Sequence, residues 1–236
     1  MKRLDKLLSE AGAASRSELK TILKAGRVTV DGAVVLKGET KVAEDAQIRL
    51  DGVLVRTGPV YLLLHKPAGV VSSTDDPRDP TVLDILPPPW KGRALFPVGR
   101  LDKETEGLLV ITDDGALAHR LTAPKYAVEK TYYARIDGTV DQADADAFAS
   151  GLTLGDGTVC RPASLEALGP GECRVVVREG KYHQVRRMLA ARGKPVTYLR
   201  REREGCLTLD GLPTGQVREL TAEEVAALLQ EGTASV

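Results

Sequence analysis

The N-terminal stretch up to Leu50 combines apolar spacing typical of helices with spacing typical of short strands. A first helix is predicted where apolar residues recur at intervals of three and four, at Leu4, Leu7, Leu8 and Ala11. A second is predicted from the capping-box pattern Ser15-Arg16-Ser17-Glu18 to Gly26, with an apolar face of Leu19, Ile22 and Leu23. The pattern then predicts a hairpin around the turn Asp31-Gly32, and further short strands at Val42 and at Ile48-Arg49-Leu50.

The pattern changes after Arg56-Thr57-Gly58-Pro59, which we interpret as a linker. Apolar and β-branched runs predict core strands at residues 60–65, 108–111, 127–136, 173–179 and 196–199. Helices are predicted at residues 116–121, 141–150 and 183–192, and a last helix begins after Thr221. Residues 72–91 predict a long loop with one helical turn, which is either functional or a plain surface insertion.

The composition predicts an ordinary soluble globular protein. Its 236 residues, 42% hydrophobic and 28% charged, allow one large or two unequal domains. No apolar run approaches the roughly 20 residues that span a bilayer, and the N-terminus lacks the apolar core of a secretion signal. Cys160, Cys173 and Cys206 are odd in number and far apart, which argues against a disulfide framework or zinc site and favours a reducing cytoplasm.

The charge is balanced overall but unevenly distributed along the chain. The formal net charge is zero, which by itself argues against a nucleic-acid partner. However, residues 1–27 have seven basic and three acidic residues, and residues 174–203 have ten basic and two acidic. Clustered basic residues can follow RNA phosphates, although a solvated helix face explains the first cluster equally well.

A candidate reactive group, Asp102, lies within the stretch V-G-R-L-D-K-E-T-E-G-L-L-V-I-T-D-D-G, residues 98–115. Asp102 precedes the buried run at 108–111, so it is predicted to lie on a loop held by a core strand. From the pattern alone, the simpler interpretation is a loop carboxylate paired with Arg100.

Three motifs in this chain resemble those of pseudouridine synthases. The first is Gly99-Arg100-Leu101-Asp102 with Thr105, Gly107 and Asp114-Gly115; the others are Lys130-Thr131-Tyr132 and Gly180–Arg187. Their order over nearly the whole chain is similar to that of the RsuA-type ribosomal RNA enzymes. The stretches Ser-Arg-Ser and Gly-Arg-Val-Thr-Val-Asp-Gly near the N-terminus resemble the S4 RNA-binding domain.

This resemblance implies an α+β protein with two domains. A small S4 (α-L) domain is expected at residues 1–57. A catalytic domain with a mixed, mostly antiparallel sheet flanked by helices is expected at residues 60–236. The implied reaction is redox-neutral and requires no cofactor, and the sequence has neither metal-ligand spacing nor a Gly-rich phosphate loop.

The resemblance also implies roles for side chains around the uridine. Asp102 is expected to act either as a nucleophile at C1′ or as the base that removes the C2′ proton. Arg186 is expected to keep Asp102 ionised through a bidentate contact, with phosphate or solvent as its alternative partner. Tyr132 is expected to stack on the flipped base, although a core position is the commoner fate of a strand tyrosine. Leu220 is the apolar residue expected to close the pocket.

Basic side chains of both domains are expected to contact RNA. The resemblance implies that Arg100 enters the RNA stack where the flipped base has left it, with a salt bridge at the edge of the site as the alternative. His183 is expected to orient the loop of Arg186 by hydrogen bonding, and not to act as an acid or base. The other expected RNA contacts are Lys130, Arg187 and, on one face of the S4 domain, Arg16, Lys20, Lys24 and Arg27.

The stretch Glu129–Tyr132 and the short chain are more similar to the small-subunit enzyme than to its large-subunit relatives. The expected partner is therefore 16S ribosomal RNA, or a small-subunit assembly particle, bound by a cytoplasmic monomer. Two alternatives stay open: a 23S ribosomal RNA enzyme of the same group, and a non-catalytic RNA-binding assembly factor that retains the fold.

Overall fold

The computed structural model describes residues 1–43, 45–88 and 90–231, which form two compact units. The first unit contains Met1–Val60 and Leu86–Leu95, and the second contains Tyr61–Ile85 and the residues from Phe96 onward. The domain limits 1–57 and 60–236 stay predictions, and nothing in the sequence pattern indicates that Leu86–Leu95 belongs with the first unit. Among the described residues, no helix is long and apolar enough to span a membrane.

The first unit contains the two helices and the hairpin that the sequence predicts. Its elements are β1 (Lys2–Arg3), α1 (Leu4–Glu10), α2 (Arg16–Lys24), β2 (Val28–Val30), β3 (Ala33–Val34), β4 (Lys41–Val42), β5 (Ile48–Leu50) and β6 (Val53–Leu54). The Ser15 hydroxyl accepts from the Glu18 amide and the Glu18 carboxylate accepts from the Ser15 amide, which confirms the capping box. Leucines of α1 and α2 pack against Val28 and Ile48 in the core of this unit.

The predicted long loop is confirmed, since the described residues between 72 and 91 contain no helix or strand. The predicted helical turn there is a hydrogen-bonded turn at residues 82–85. Beyond it, Arg93 donates from Nη1 to the Arg56 carbonyl at 3.0 Å and from Nη2 to the Gly58 carbonyl at 2.7 Å. Arg93 thereby ties the end of the loop to the linker.

The second unit is built on a mixed sheet. Its strands are β7 (Tyr61–Lys66), β8 (Phe96–Pro97), β9 (Glu106–Thr112), β10 (Lys130–Ile136), β11 (Leu152–Thr153), β12 (Val159–Cys160), β13 (Ser164–Gly169), β14 (Glu172–Val177), β15 (Val196–Glu204), β16 (Leu207–Thr208) and β17 (Val217–Glu219). Its helices are α3 (Gly115–Thr122), α4 (Gln142–Ser150), α5 (Gln184–Ala191) and α6 (Ala222–Gln230), with a 3₁₀ turn at Pro124–Tyr126.

The order of the main sheet is β13-β14-β10-β15-β9-β7-β17, with β8 on β9 and β16 on β15. Among the described strands of this sheet, only β15 and β9 pair in parallel, and the other pairs are antiparallel. The α+β class with a mixed, mostly antiparallel sheet is therefore confirmed.

Apolar clusters pack against this sheet. One contains Phe148 of α4 and Met188 and Leu189 of α5, together with side chains of β10, β14 and β15. Another contains side chains of α3, α6, β7 and β9. Strand β9 is buried along Gly107–Thr112, which explains why its sequence is continuously apolar and does not alternate.

An irregularity in β15 decides which of its side chains face the interior. Thr131 is opposite Arg203 and Tyr132 is opposite Arg201, so Glu202 is an extra residue that forms a β-bulge. The bulge shifts the alternation by one residue, and both Arg201 and Glu204 are buried, 2% and 1% exposed. In a regular strand, Arg203 would share the face of Arg201 and Glu204 would lie on the opposite face.

Candidate active site

Asp102 lies in a tight turn that leads into β9. The Thr105 amide donates to the Asp102 carbonyl at 3.0 Å. The Ser72 hydroxyl accepts from the Leu101 amide at 3.0 Å and donates to the Leu101 carbonyl at 2.9 Å. Asp102 is thus on a fixed loop before a core strand, as the apolar pattern predicts.

Lys66, at the end of β7, holds the same turn. Its side chain is fully buried, and its ammonium donates to the carbonyls of Pro67, Lys103 and Thr105 at 2.9, 3.1 and 2.9 Å. Burial lowers the pKa of Lys66 to about 8, although the nearby carboxylates, Asp102 among them, oppose this effect. Because three carbonyl acceptors also favour the charged form, Lys66 acts as a cation that ties the Asp102 turn to β7.

The Asp102 carboxylate meets His183, Arg186 and Thr105. His183 Nε2 lies 3.3 Å from Oδ1, Arg186 Nε lies 3.9 Å from Oδ2, and the Thr105 hydroxyl lies 3.5 Å from Oδ2. The predicted neighbourhood of Asp102 and Arg186 is present, but the expected bidentate contact is not. Arg186 instead directs Nη2 to the Thr105 hydroxyl at 3.5 Å and Nη1 to the Val196 carbonyl at 3.4 Å.

The backbone conformation of His183 brings its ring to the carboxylate. His183 immediately precedes α5 and has a φ of +47°, in the left-handed region that a non-glycine residue seldom occupies. Its ring stacks on that of Tyr182 with a centroid distance of 3.8 Å. His183 therefore contacts Asp102 directly, whereas the sequence interpretation gives it only the role of orienting the Arg186 loop.

Tyr132 and Asp102 line the same cavity, whose volume is about 80 Å³. Its apolar wall is formed by Val177, Val185 and Leu199. Arg100 also lines the cavity, is exposed, and has no ion-pair partner within the described part of the chain, so the alternative of a salt bridge is not observed.

A buried cluster of charges adjoins Tyr132. Lys130 is opposite Glu204 and Tyr132 is opposite Arg201 on the paired strands β10 and β15. Glu204 lies 3.6 Å from the Lys130 ammonium and 3.2 Å from Arg201 Nη2, while Arg201 Nε donates to the Leu108 carbonyl at 2.7 Å. Burial raises the pKa of Tyr132, and the positive charge of Arg201 opposes that shift.

The structure corrects the prediction that Lys130 contacts RNA. Its side chain is only 13% exposed, and its ammonium is also close to the carbonyls of Leu121 and Val128. Lys130 points inward because it shares a face of β10 with Tyr132 and Ala134. It therefore belongs to the buried cluster and is not available to phosphate.

Leu220 and Arg187 also lie away from the cavity. Leu220 follows β17 at the edge of the sheet, packs in the cluster of α3 and α6, and does not line the Asp102 cavity. The apolar lining of the cavity includes Leu199 of β15 and not Leu220. Arg187 Nη2 lies 2.5 Å from Asp156, so the guanidinium is directed to the loop between β11 and β12.

Three of the four basic residues predicted for the first unit line one groove. Arg16, Lys20 and Lys24 of α2 lie there with Arg3, Lys6 and Lys37, and the groove has a volume of about 830 Å³. Arg27 lies beyond the end of α2 and does not line this groove. It instead pairs with Asp51 through hydrogen bonds of 2.8 and 2.5 Å.

Sequence reasoning missed Arg201 and Glu204 as supports of the site, whereas the stretch Lys66-Pro67-Ala68-Gly69 resembles a structural motif of the same synthases. Arg201 lies two residues after Leu199, so simple alternation along β15 could have indicated that it faces the interior. No local signal predicts that Glu204 is buried, because the bulge at Glu202 is what turns its side chain to the interior. In the described part of the chain, no group of three or more His, Cys, Asp or Glu residues is arranged to hold a metal ion.

The chain is similar to known proteins in both sequence and structure. A family model described as RNA pseudouridylate synthase matches residues 60–191, and an S4 domain model matches residues 2–48. The chain is 43% identical over 230 residues to ribosomal small subunit pseudouridine synthase A of Yersinia pestis, covering 96% of this chain and 97% of that protein. It is 42% identical over 233 residues to the protein of the same name from Escherichia coli (strain K12), covering 96% of this chain and 100% of that protein.

A solved crystal structure of a pseudouridylate synthase has 35% sequence identity and a TM-score of 0.68, covering 97% of this chain and 100% of that chain. The relatives match along nearly the whole length, and the synthase model spans more than half of the chain. The chain therefore belongs to the RNA pseudouridylate synthase family, isomerases that convert uridine in RNA to pseudouridine, and has an N-terminal S4 domain.

Proposed function

We propose that this enzyme isomerises a uridine of 16S ribosomal RNA to pseudouridine, with Asp102 as its catalytic residue. The observation that carries the proposal is that Asp102 and Tyr132 line one cavity, with Arg186 beside the carboxylate. The names of the relatives support the small ribosomal subunit as the source of the substrate.

The reaction breaks the bond between C1′ and N1, turns the base, and joins C1′ to C5. In this proposal, Asp102 either attacks C1′ or removes the proton from C2′ to give a glycal. Either role requires an ionised carboxylate, and Arg186 is a cation 3.9 Å from it. C5 finally loses its proton and N1 gains one, so no oxidant or reductant takes part.

The base must leave the RNA stack before it reaches Asp102, at a cost of a few kcal/mol. We propose that the ring of Tyr132 stacks on the flipped base, which is worth about 1–3 kcal/mol. The cavity of about 80 Å³ is well below the roughly 300 Å³ of small ligand sites, so its rim must open to admit a nucleotide. Arg100 is an exposed rim residue, and it takes the place that the base leaves in the stack.

The groove lined by Arg16, Lys20 and Lys24 supplies the second RNA contact in this proposal. Its lining has six basic residues against Asp5 and Glu39, and A-form RNA is recognised mainly through shape and phosphates. We further propose that the enzyme is a monomer that works in the cytoplasm. The thiols of Cys160, Cys173 and Cys206 are free, which suits a reducing compartment.

The proposal is tested by tritium release from C5 of labelled uridine, with 16S and 23S RNA assayed separately. We expect release from 16S RNA by the wild-type enzyme and none by Asp102→Asn. The matched control is Glu104→Gln, which removes an exposed carboxylate from the same turn and should leave release unchanged. Equal activity of Asp102→Asn and wild type, with normal RNA binding, would rule out Asp102 as the catalytic residue.

The same assay separates the alternatives. Release from 23S RNA alone indicates a large-subunit enzyme of the same group. If wild type binds both RNAs but releases tritium from neither, partly assembled small subunits are assayed next. Release from those particles identifies a ribonucleoprotein substrate, and its absence identifies a non-catalytic assembly factor.

A further inference from the structure

The buried cluster behind Tyr132 contains more positive than negative charge. Lys130 and Arg201 are two cations, and Glu204 is the carboxylate that lies within ion-pair distance of both. Arg201 Nη2 is fully buried and makes no hydrogen bond, although it is 3.2 Å from Glu204 Oε2. The cluster thus has two basic side chains for one carboxylate, and burial lowers the pKa of Lys130.

The strand register directs Arg201 to Tyr132. The two residues are directly opposite on β10 and β15, and on its other side Arg201 is paired with Gly107 of β9. A Cβ atom at Gly107 would collide with the backbone of Arg201, so the two strands approach closely here. The Arg201 guanidinium is in turn fixed by its 2.7 Å hydrogen bond to the Leu108 carbonyl. Arg201 thus links the strand after Asp102 to the strand that carries Tyr132.

We propose that Arg201 is a positioning residue for Tyr132, and that its guanidinium fixes the phenol across the cavity from Asp102 by acting on the hydroxyl end of the ring. This proposal rests on the proposed function for its consequence in catalysis, but the register that places Arg201 opposite Tyr132 does not. The positive charge of Arg201 opposes the rise in the Tyr132 pKa, whereas the negative charges of Glu204 and Asp102 favour it. Lys130 serves in this arrangement to keep Glu204 neutralised.

Arg201→Gln removes the charge but can still donate to the Leu108 carbonyl, and it leaves Glu204 paired with Lys130. We expect kcat for tritium release to fall about ten-fold, because the phenol loses the neighbouring positive charge, with unchanged RNA affinity. Arg201→Lys should restore most of the rate. In a Tyr132→Phe background, Arg201→Gln should have no further effect, because the hydroxyl on which it acts is absent.

The matched control is Arg200→Gln. Arg200 precedes Arg201 on the other face of β15, where it pairs with Glu202. This variant should keep the wild-type kcat. Equal losses of kcat from Arg201→Gln in the wild-type and Tyr132→Phe backgrounds would overturn the proposal, because they would indicate a structural role independent of the hydroxyl.

A second measurement does not depend on catalysis. With 3-fluorotyrosine at position 132, a fluorine NMR titration reports the ionisation of this phenol alone. Arg201→Gln should move its titration to higher pH, and Arg200→Gln should not. If Arg201→Gln fails to fold, Glu204→Gln is titrated instead and should move it to lower pH. If Arg201→Gln does not move the titration of the fluorotyrosine, the positioning role is wrong. If the titration moves as expected but the wild-type enzyme is inactive, only the proposed function is wrong.

Discussion

Arg186 Nε lies 3.9 Å from Asp102 Oδ2, which is close enough for a charge contact and too far for a hydrogen bond. We expect Arg186→Gln to lower kcat about ten- to a hundred-fold, because the carboxylate loses its neighbouring cation. RNA affinity should change little, since only a quarter of the Arg186 side chain is exposed. Single-turnover rates and equilibrium binding measure the two quantities separately.

The control for Arg186→Gln is Arg187→Gln, the next residue on α5. Its guanidinium pairs with Asp156 and not with Asp102, so its kcat should stay within about two-fold of wild type. Equal losses of kcat in both variants would contradict the prediction, because Arg187 does not contact Asp102.

Lys66→Met tests the support of the Asp102 turn. Three carbonyls lose their donor, and we expect the free energy of unfolding to fall by about 2–4 kcal/mol, with a larger fractional loss of activity. Denaturant unfolding and tritium release give the two values. Lys103→Met is the control, because its ammonium is exposed and pairs with Asp79. A Lys66→Met enzyme of wild-type stability and rate would show that the apolar packing alone holds the turn.

Asp144 of α4 should make stability depend on pH in the acid range. Burial raises the pKa of this carboxyl, but hydrogen bonds from Arg192, the Asp141 amide and Lys194 more than offset it, so the pKa lies below its ordinary value. A carboxyl whose pKa is depressed on folding stabilises the fold above its unfolded pKa, about 4, and loses this effect as the pH falls through the folded value.

We therefore expect Asp144→Asn to lower the free energy of unfolding by about 1–3 kcal/mol at pH 7, with the difference from wild type disappearing below about pH 3. Urea unfolding over this pH range measures it. Asp146→Asn, exposed on the same helix, should follow the wild-type pH profile. If Asp144→Asn lowers the free energy of unfolding by the same amount at every pH, the carboxylate charge is not the cause. The loss would then be assigned to helix capping.

The basic groove of the first unit should contribute to the salt dependence of RNA binding. Replacing Arg16, Lys20 and Lys24 by Gln together removes three cations, which should flatten the slope of log K against log salt by about two. Arg27→Gln is the control, since Arg27 already pairs with Asp51 outside the groove. Titration of fluorescent RNA at several salt concentrations tests both variants. An unchanged slope in the triple variant would show that the groove does not contact RNA phosphates.

Local signals predicted most of the elements. The capping boxes at Ser15 and at Thr221 are both present, because each depends on residues three positions apart. The apolar runs at 60–65 and 108–111 became core strands, as their local composition predicts, whereas their pairing with each other was not predicted. The pairing of Asp102 with Arg186 followed from the resemblance and not from spacing, since nothing local brings α5 to the turn before β9.

Features set by tertiary contacts were not predictable in this way. The inward direction of Lys130 depends on Glu204, and the inward direction of Glu204 depends on the bulge at Glu202. Leu220 was assigned to the pocket, but its place is set by the position of β17 at the sheet edge. These outcomes require the register between strands, which a single sequence does not contain.

The anchoring of the Asp102 turn has a consequence for how substrate is selected. Lys66 fastens the turn to β7, and the close approach of Gly107 to Arg201 fastens the start of β9 to β15. The backbone of the Asp102 turn is therefore held to the sheet, and the cost of moving the base out of its stack falls on the RNA. We expect the enzyme to discriminate among uridines by how readily each one opens, so that bulged or loop uridines react fastest.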